Sequence, residues 1–247
     1  MRKAIIIIAI VVAAICTSLI LWGWPLVLWD WQGGLIGSGN LETEEYAFTN
    51  FTKVEISTAF EFEIEQASSY SINVTADDNV IDRVQVSQDG QTLKIRVGTV
   101  PTLRRVTLKA LVTMPQLGGL TVSGATRGIV SNFNCTEAVS IAVSGASRVT
   151  GDITAGDIEF DVSGASTVQL EGSADDMVAI ISGASRFSLG DFTVNNADVN
   201  ISGASTGTIN LDGRLDANVS GASTLLYIGD PVMGTMNVSG ASSLGKK

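Results

Sequence analysis

The stretch Ile-Glu-Phe-Asp-Val-Ser-Gly-Ala-Ser-Thr-Val-Gln-Leu, at residues 158–170, contains the pattern that decides the fold. Apolar residues alternate with other residues on both sides of a central Ser-Gly-Ala-Ser. This tetrapeptide, or a close variant of it, begins at Ser123, Ser144, Ser163, Ser182, Ser202, Ser220 and Ser239. Successive copies start 21, 19, 19, 20, 18 and 19 residues apart. So steady a period indicates one structural unit that is stacked on itself.

Each repeat predicts a strand, a corner and a second strand when its residues are numbered from the first Ser of the tetrapeptide, which is position 0. Positions −3 and −1 are apolar in every repeat, and positions +5 and +7 are apolar in most of them. The residues at −1 are all β-branched: Val122, Val143, Val162, Ile181, Ile201, Val219 and Val238. A coil of about 19 residues with such period-two alternation predicts a parallel β-helix, in which equivalent residues stack about 4.8 Å apart.

The tetrapeptide has the composition of a tight corner. Gly at +1 allows a bend that a side chain would obstruct, and we expect Ala at +2 to fit the crowded inside of that bend. Stacked Ser hydroxyls can bond to neighbouring coils. Glycines later in several repeats predict a second turn before the next strand: Gly151, Gly172, Gly190 and Gly229. A propeller blade needs about 40 residues and a sandwich needs no fixed period, so both fit poorly.

Residues 41–118 lack the tetrapeptide but keep the alternation, and we interpret them as degenerate capping coils that precede the regular coils at residues 119–247. Residues 54–64 align with the coil when Ser57 takes position 0, which predicts that they form the first coil. Further strands are predicted around residues 71–74, 84–86 and 93–97, with a hairpin turn at Asp89-Gly90. An open stack end exposes unpaired backbone, and we expect the glutamates at 61, 63 and 65 to keep that end soluble.

An apolar segment precedes the repeats. Residues 4–29 contain no charge, and at about 1.5 Å per residue they are long enough to cross a hydrocarbon core of about 30 Å. Arg2 and Lys3 before this run place the N-terminus in the cytoplasm, and a cluster of tryptophans at its far end is typical of a membrane interface. We expect one transmembrane helix at residues 1–31, with a cleaved signal peptide as the alternative. Either exports the body behind a short flexible linker at residues 32–40.

The composition excludes several classes of function. The chain has no histidine, which removes the usual general base and the commonest neutral metal ligand. A net charge of −10 argues against binding to nucleic acid. Cys16 lies in the apolar segment and Cys135 lies in the repeats, so we expect no disulfide between them. We interpret Cys135 as a small buried side chain.

Three sets of polar residues are candidates for a site, and none of them predicts catalytic, cofactor-binding or metal-binding residues. The aspartates occupy different coil positions, so their spacing predicts no cluster: Asp152, Asp157, Asp161, Asp175, Asp176, Asp191 and Asp198. Position +4 carries Arg127, Arg148 and Arg186, with threonines between them. Position +3 carries hydroxyls: Thr126, Ser147, Ser166, Ser185, Ser205, Ser223 and Ser242. These rows form either a flat face for glycans or ice, or a corner ladder that satisfies its own backbone, and we favour the ladder.

Several short motifs precede the Ser-Gly-Ala-Ser series in a definite order. Gly-Ser-Gly-Asn at 37–40 comes first, then Phe-Thr-Lys-Val-Glu-Ile at 51–56, Thr-Leu-Lys-Ile-Arg-Val at 92–97 and Val-Thr-Met-Pro at 112–115. Together with the series, this order resembles the head GIN domain of auto-transporter adhesins over residues 37–244. It implies a parallel β-helical surface domain with an adhesive role, and it supplies no catalytic residues.

We therefore expect a membrane-anchored, extracytoplasmic β-helix that has a structural or adhesive role and is neither an enzyme nor dependent on a cofactor. It would lie at the cell surface or in the periplasm, with envelope glycans or surface proteins as partners. One alternative is a carbohydrate-active enzyme with its site in a groove along one β face. Convergence of three or more Asp, Glu or Arg side chains in a cleft would favour that alternative. A sensory envelope ectodomain is the other.

Overall fold

The computed structural model describes residues 34–99 and 102–247, and Leu35–Lys247 forms one compact unit. Before the first tetrapeptide its strands are β1 (Leu35–Ile36), β2 (Leu41–Glu45), β3 (Lys53–Ile56), β4 (Glu61–Gln66), β5 (Ser71–Asp77), β6 (Val84–Asp89), β7 (Thr92–Val97), β8 (Leu103–Arg104), β9 (Leu108–Met114) and β10 (Gly119–Val122), with a helical turn α1 (Asp78–Ile81) between β5 and β6. The later strands are β11 (Arg127–Asn134), β12 (Val139–Val143), β13 (Arg148–Thr154), β14 (Ile158–Val162), β15 (Thr167–Ser173), β16 (Asp176–Ile181), β17 (Arg186–Val194), β18 (Asn196–Ile201), β19 (Thr206–Leu211), β20 (Arg214–Val219), β21 (Thr224–Ile228), β22 (Val232–Val238) and β23 (Ser243–Lys246).

Most of these strands form two large sheets. The ten-stranded sheet has the order β22-β20-β18-β16-β14-β12-β10-β3-β7-β6, and the eleven-stranded sheet has the order β2-β5-β9-β4-β11-β13-β15-β17-β19-β21-β23. Each repeat contributes the strand before its tetrapeptide to the first sheet and the strand after it to the second. Neighbouring repeats pair in parallel throughout. The prediction of an all-β parallel β-helix is confirmed, with six turns between the first tetrapeptide and the seventh.

The core lies between the two sheets and consists of the inward-facing rows. Position −1 is in register from Ile56 through Val122 to Val219, and these side chains are buried. At position +5, Gly128 lies beside Phe62, and a Cβ on Gly128 would lie only 2.4 Å from Phe62 Cγ. The glycine therefore makes room for the ring in the adjacent coil. Alternating a large residue with a small one fills the core at the density that protein interiors require.

The corner of each coil depends on glycine at +1. The seven corner glycines have φ between 69° and 79°, a region that β-carbon-bearing residues rarely adopt. They also stack on one another, so a Cβ on Gly183 would lie 2.2 Å from the carbonyl oxygen of Gly164. Ala184 N–H donates to that same oxygen at 2.7 Å. The prediction for Ala at +2 is wrong, because every one of these alanines is exposed on the outside of the bend.

Of the four glycines predicted to mark the second turn, only Gly229 lies there, just after β21 and with φ of 97°. Gly151 and Gly172 lie inside β13 and β15 with φ of 134° and 121°, and Gly190 lies inside β17. A Cβ on Gly151 would lie 1.8 Å from the carbonyl oxygen of Val130, so this glycine permits close approach of two strands at a bulge. The chain instead turns at short segments after these strands, as at residues 155–157.

The N-terminal end of the stack is folded out of sequence order. Residues 54–64 do form a coil, and Ile56 pairs with Val122 as the alignment on Ser57 predicts. They are not at the end of the stack, however, because β7 and β9 pair in parallel on their outer side. Beyond these, β6 and β5 add antiparallel strands, and β2 covers β5. The hairpin at Asp89-Gly90 is confirmed, with Asp89 paired to Thr92.

The expectation that three glutamates protect the open end is wrong for the same reason. Glu61, Glu63 and Glu65 lie on β4, which is sandwiched between β9 and β11. Glu61 has Lys109 as its register partner on one side and Arg127 on the other. The glutamates therefore lie within the sheet, with a paired strand on each side. The antiparallel strands beyond β7 and β9 protect the end of the stack instead.

The Gly-Ser-Gly-Asn motif is held against the body by side chains at the start of α1. Asp77 is buried, and its two carboxylate oxygens accept bonds from Gly39 N–H and Thr107 N–H, both at 2.7 Å. Asn79 accepts a bond from Ser38 N–H at 3.2 Å and donates to Ile36 O at 2.8 Å. We call this arrangement the Asp77 clasp. It fixes the described part of the predicted linker to the folded unit.

The predicted transmembrane helix at residues 1–31 lies outside the described residues and stays a prediction. Across residues 34–99 and 102–247, no helix combines the length and the apolar composition that a membrane span requires.

Candidate functional site

The hydroxyl row at position +3 faces the interior and is not a binding surface. Its residues from Thr126 to Ser223 are buried. Ser166 Oγ donates to Ser163 O at 2.7 Å, and Ser185 Oγ donates to Ser182 O at 2.9 Å, so these two hydroxyls close their own corners. Ser185 N–H reaches Ser205 Oγ in the next coil at 3.3 Å. This row is therefore the structural ladder that we favoured. Among the described residues, only Thr126 Oγ1 and Ser147 Oγ are buried side-chain polar atoms without a hydrogen-bond partner.

Position +4 faces outward and forms what we call the arginine row. In register along the eleven-stranded sheet it contains Arg127, Arg148, Thr167, Arg186, Thr206, Thr224 and Ser243. The three arginines are exposed. No hydrogen bond or ion pair joins their guanidinium groups to any residue that the structure describes. Their charges are therefore directed at solvent.

The arginine row holds all the positive charge of the central coils. Between residues 127 and 213 the only basic residues are Arg127, Arg148 and Arg186, although that stretch has many outward positions. Eleven acidic residues occur in the same stretch and none is in the row. The ten-stranded sheet presents carboxylates on its outer face: Glu159, Asp161, Asp198 and Asp216. The eleven-stranded sheet has exposed carboxylates as well, farther along the strands that carry the arginines: Asp152, Glu171 and Asp191. The row itself is therefore the positively charged line of the central coils.

The outward positions next to the arginine row on β13, β15, β17 and β19 are polar and uncharged. Position +6 on the same strands carries Thr150, Gln169, Ser188 and Thr208, which are partly or fully exposed. Their hydroxyl and amide groups can both donate and accept hydrogen bonds. Ile129, 48% exposed, continues this line toward the N-terminal coils. An extended ligand lying along the solenoid axis would meet guanidinium groups and these polar groups together.

The acidic residues at the second turn cap the turn and do not converge on a reacting point. Asp157 Oδ1 accepts a bond from Asp176 N–H at 3.3 Å, and Asp176 Oδ1 accepts from Asn196 Nδ2 at 2.8 Å. Asn196 Oδ1 then accepts from Arg214 N–H at 2.9 Å. These bonds link four successive coils into a ladder. Asp152 is engaged in a similar way, accepting a bond from Asn132 N–H at 2.9 Å.

A shallow groove of about 570 Å³ lies beside this ladder. Asp157, Glu159 and Asp176 contribute to its lining, together with the half-exposed Val178. Two of the three carboxylates belong to the turn ladder, and Glu159 lies on β14, where its register partners are Ser140 and Val178. Within the described part of the chain, no group of three or more acidic or cysteine side chains could hold a metal ion.

Two further side chains have altered chemistry without forming a site. Cys135 is buried, as predicted, and burial raises the pKa of its thiol, which donates to Leu117 O at 3.4 Å. The Arg214 guanidinium donates to Asp216 at 2.6 Å and holds the pKa of that carboxyl well below its usual range. A thiol with a raised pKa is a weak nucleophile, and a paired carboxylate is a poor general base.

Sequence reasoning missed the direction of the residues around the corner, although the repeat contains the signal. Positions −3, −1, +5 and +7 are inward, and +3 has the same odd parity, so its hydroxyls belong inside. Position +2 has the outward parity of +4. The parity rule fails only at +1, where the glycine turns the backbone outward.

Comparison with known proteins places this architecture in a family. The description "Putative auto-transporter adhesin, head GIN domain" belongs to the family that matches residues 50–231. A crystal structure of a "putative adhesin" from Bacteroides fragilis superposes with a TM-score of 0.82 at 22% identity, covering 87% of this chain and all of the other. One from Parabacteroides merdae gives a TM-score of 0.69 at 17% identity, covering 86% of this chain and 98% of that one.

A third neighbour carries a different name. It is a "Putative lipid binding protein" from Parabacteroides distasonis, with a TM-score of 0.62, 20% identity and coverage of 86% of this chain and 99% of the other. At these identities the solved structures establish the shared fold. No curated protein matches the sequence. The family match covers most of the chain and agrees with the motifs and the solenoid, so the chain belongs to the head GIN domain family of auto-transporter adhesins.

Proposed function

We propose that this protein is a non-enzymatic adhesive domain that is displayed outside the cytoplasm and held at a membrane by residues 1–31. It contacts envelope glycans or surface proteins through the outer faces of the solenoid. The family description names adhesins, and the apolar run at residues 4–29 supplies a means of attachment. A rigid rod of stacked coils suits display, because its outer side chains repeat at about 4.8 Å without relying on mobile loops.

The arginine row carries this proposal. It is an ordered outward surface whose charged groups have no partner among the described residues, whereas the hydroxyl row beside it is buried in the core. Residues that are exposed and unexplained by folding point to binding. The use of Asp157 and Asp176 as turn caps supports a non-enzymatic role.

The test is a binding array run beside a hydrolysis assay. The full chain, purified in mild detergent because of its apolar segment, is applied to immobilised cell-wall polymers, neutral and charged glycans, and surface-protein extracts. We expect saturable binding to at least one polymer and no change in polymer length after prolonged incubation. Release of shortened polymer would contradict the non-enzymatic role and favour the carbohydrate-active alternative. Absence of binding across the whole array would contradict the adhesive role.

A further inference from the structure

We propose that the arginine row binds an acidic polysaccharide, a chain of sugars bearing carboxylate or sulfate groups, laid along the solenoid axis. This inference rests on the proposed adhesive function and names the ligand chemistry for it. The polymer would cross strands β11, β13, β15 and β17 at position +4. Arg127, Arg148 and Arg186 would pair with its anionic groups, while the position +6 side chains would bond its hydroxyls.

The register sets the spacing of the three charges. Arg127 and Arg148 are direct Cα partners on adjacent parallel strands, so their backbones lie about 4.8 Å apart. Thr167 separates Arg148 from Arg186, so the three arginines together span three strand spacings, about 14 Å. An extended polymer with anionic groups at intervals along its length can reach all three guanidinium groups without bending. Each guanidinium has a fixed fork of donors that matches a carboxylate or sulfate edge.

The arrangement is unfavourable for folding. Like charges placed directly opposite one another on neighbouring strands destabilise a sheet, and Arg127 and Arg148 are such a pair. Arg127 has a carboxylate partner on its other side, Glu61. The register partners of Arg148, however, are Arg127 and Thr167, and those of Arg186 are Thr167 and Thr206. None of the eleven acidic residues between residues 127 and 213 lies in the row. A bound polyanion would remove this repulsion by lying between the two charges.

Two features favour an acidic polysaccharide over nucleic acid. The outward positions +4 and +6 from β11 to β19 carry no aromatic ring on which a base could stack. The net charge of −10 repels duplex nucleic acid, with one phosphate per about 1.7 Å of its axis, more strongly than a polysaccharide with one anionic group per sugar. Thr150, Gln169 and Ser188 offer the mixed donors and acceptors that sugar hydroxyls require.

The experiment measures binding of the full chain in detergent to alginate and chondroitin sulfate, with dextran as the neutral polymer and single-stranded DNA as the polyphosphate. We expect the acidic glycans to bind, with an affinity that falls as salt is raised. Arg148→Gln and Arg186→Gln should each weaken that binding about tenfold, since each removes a charge-assisted bond. Arg148→Lys should keep more of the affinity than Arg148→Gln. Thr167→Arg, which fills the gap in the row, should increase it.

The matched control is Arg83→Gln, which makes the same change in net charge at an exposed residue outside the row. It should bind like the parent. Equal weakening by Arg83→Gln and Arg148→Gln would show a general charge effect and overturn the inference. Tighter binding to DNA than to either acidic glycan would also overturn it.

A second outcome separates this inference from the proposed function. If dextran or a protein partner binds the parent and the row variants equally, the row is not the site, although the adhesive function stands. If the parent binds nothing, both fail. Melting temperatures accompany every variant. If Arg148→Gln loses binding while its melting temperature is unchanged or raised, the arginine has a role in ligand binding. If its melting temperature falls while binding is unchanged, the arginine has a structural role.

Discussion

The capping region and the repeat region of this solenoid satisfy the same backbone in different ways. In the repeats, each corner is closed by the coil before it, as when Gly164 O accepts from Ala184 N–H. In the cap, the buried Asp77 carboxylate performs this task for Gly39 and Thr107, and antiparallel strands cover the edges. A corner that stacks on a copy of itself needs one residue pattern, which is why the sequence repeats. An end has no copy to stack on, so it needs individual side chains.

Charge also differs between neighbouring pairs of strands. Lys94 is bonded to Asp89 at 3.1 Å, and Lys109 lies beside Glu61 where β9 meets β4. Where β11 meets β13, Arg127 lies directly beside Arg148, although its neighbour on the other side is Glu61. The Arg127–Arg148 contact therefore lowers stability slightly. Such a local conflict with folding is expected where a surface is used for binding.

The largest effect is expected from Gly183→Val in the middle of the stack. Gly183 has φ of 78°, and a Cβ there would lie 2.2 Å from Gly164 O. A β-branched residue must distort the corner and its neighbour, at a cost of at least about 3 kcal/mol in the free energy of unfolding. Chemical denaturation measures this cost. Gly190→Ala is the control, because its nearest neighbour atom would lie 3.6 Å away, and it should be neutral or slightly stabilising. A Gly183→Val variant that unfolds like the parent would refute the stacked corner.

A smaller and more local effect is expected in the cap from Asp77→Ala. The substitution removes two bonds to backbone N–H groups from a buried carboxylate, which should cost about 2–4 kcal/mol. Hydrogen exchange at Gly39 and Thr107 should accelerate first, while the repeats stay protected. Asp78→Ala, at an exposed position, should change both quantities less. Equal loss of protection in the distant coils would mean that the cap and the repeats unfold as one unit. That result would contradict a cap that is stabilised separately from the repeats.

The smallest expected effects are changes in stability of opposite sign at the Arg127–Arg148 contact and the Lys109–Glu61 contact. Arg148→Thr removes a like-charge contact and should raise stability by up to about 0.5 kcal/mol, with the gain shrinking in high salt. Lys109→Thr removes the neighbour of Glu61 and should lower stability by a similar amount. Thermal melts at low and high salt measure both. A loss of stability in Arg148→Thr would show that the arginine row contributes to the fold.

Much of the repeat region was predictable because its pattern is local. Ile56, Val122 and Val162 are in register as predicted, since alternation and a fixed period specify both the face and the coil position of a residue. The sequence was less informative at the corner, where Ala184 was expected inside and lies outside. The position of Gly151 within β13 was missed as well, because a glycine permits either a turn or a close approach of strands.

The sequence by itself determined that the chain forms a solenoid, the length of its coils and the residues that line its core. These follow from a period that every coil repeats and from the burial of apolar side chains. Only the tertiary structure decided that β7 and β9 stack outside β3 and β4 and that Asp77 closes the N-terminal end. It also decided that the three guanidinium groups of the arginine row have no bonding partner in the part of the chain that the structure describes. Pairing between strands distant in sequence depends on which strand edges are still unpaired when a later segment of the chain reaches the sheet. No local pattern encodes that choice.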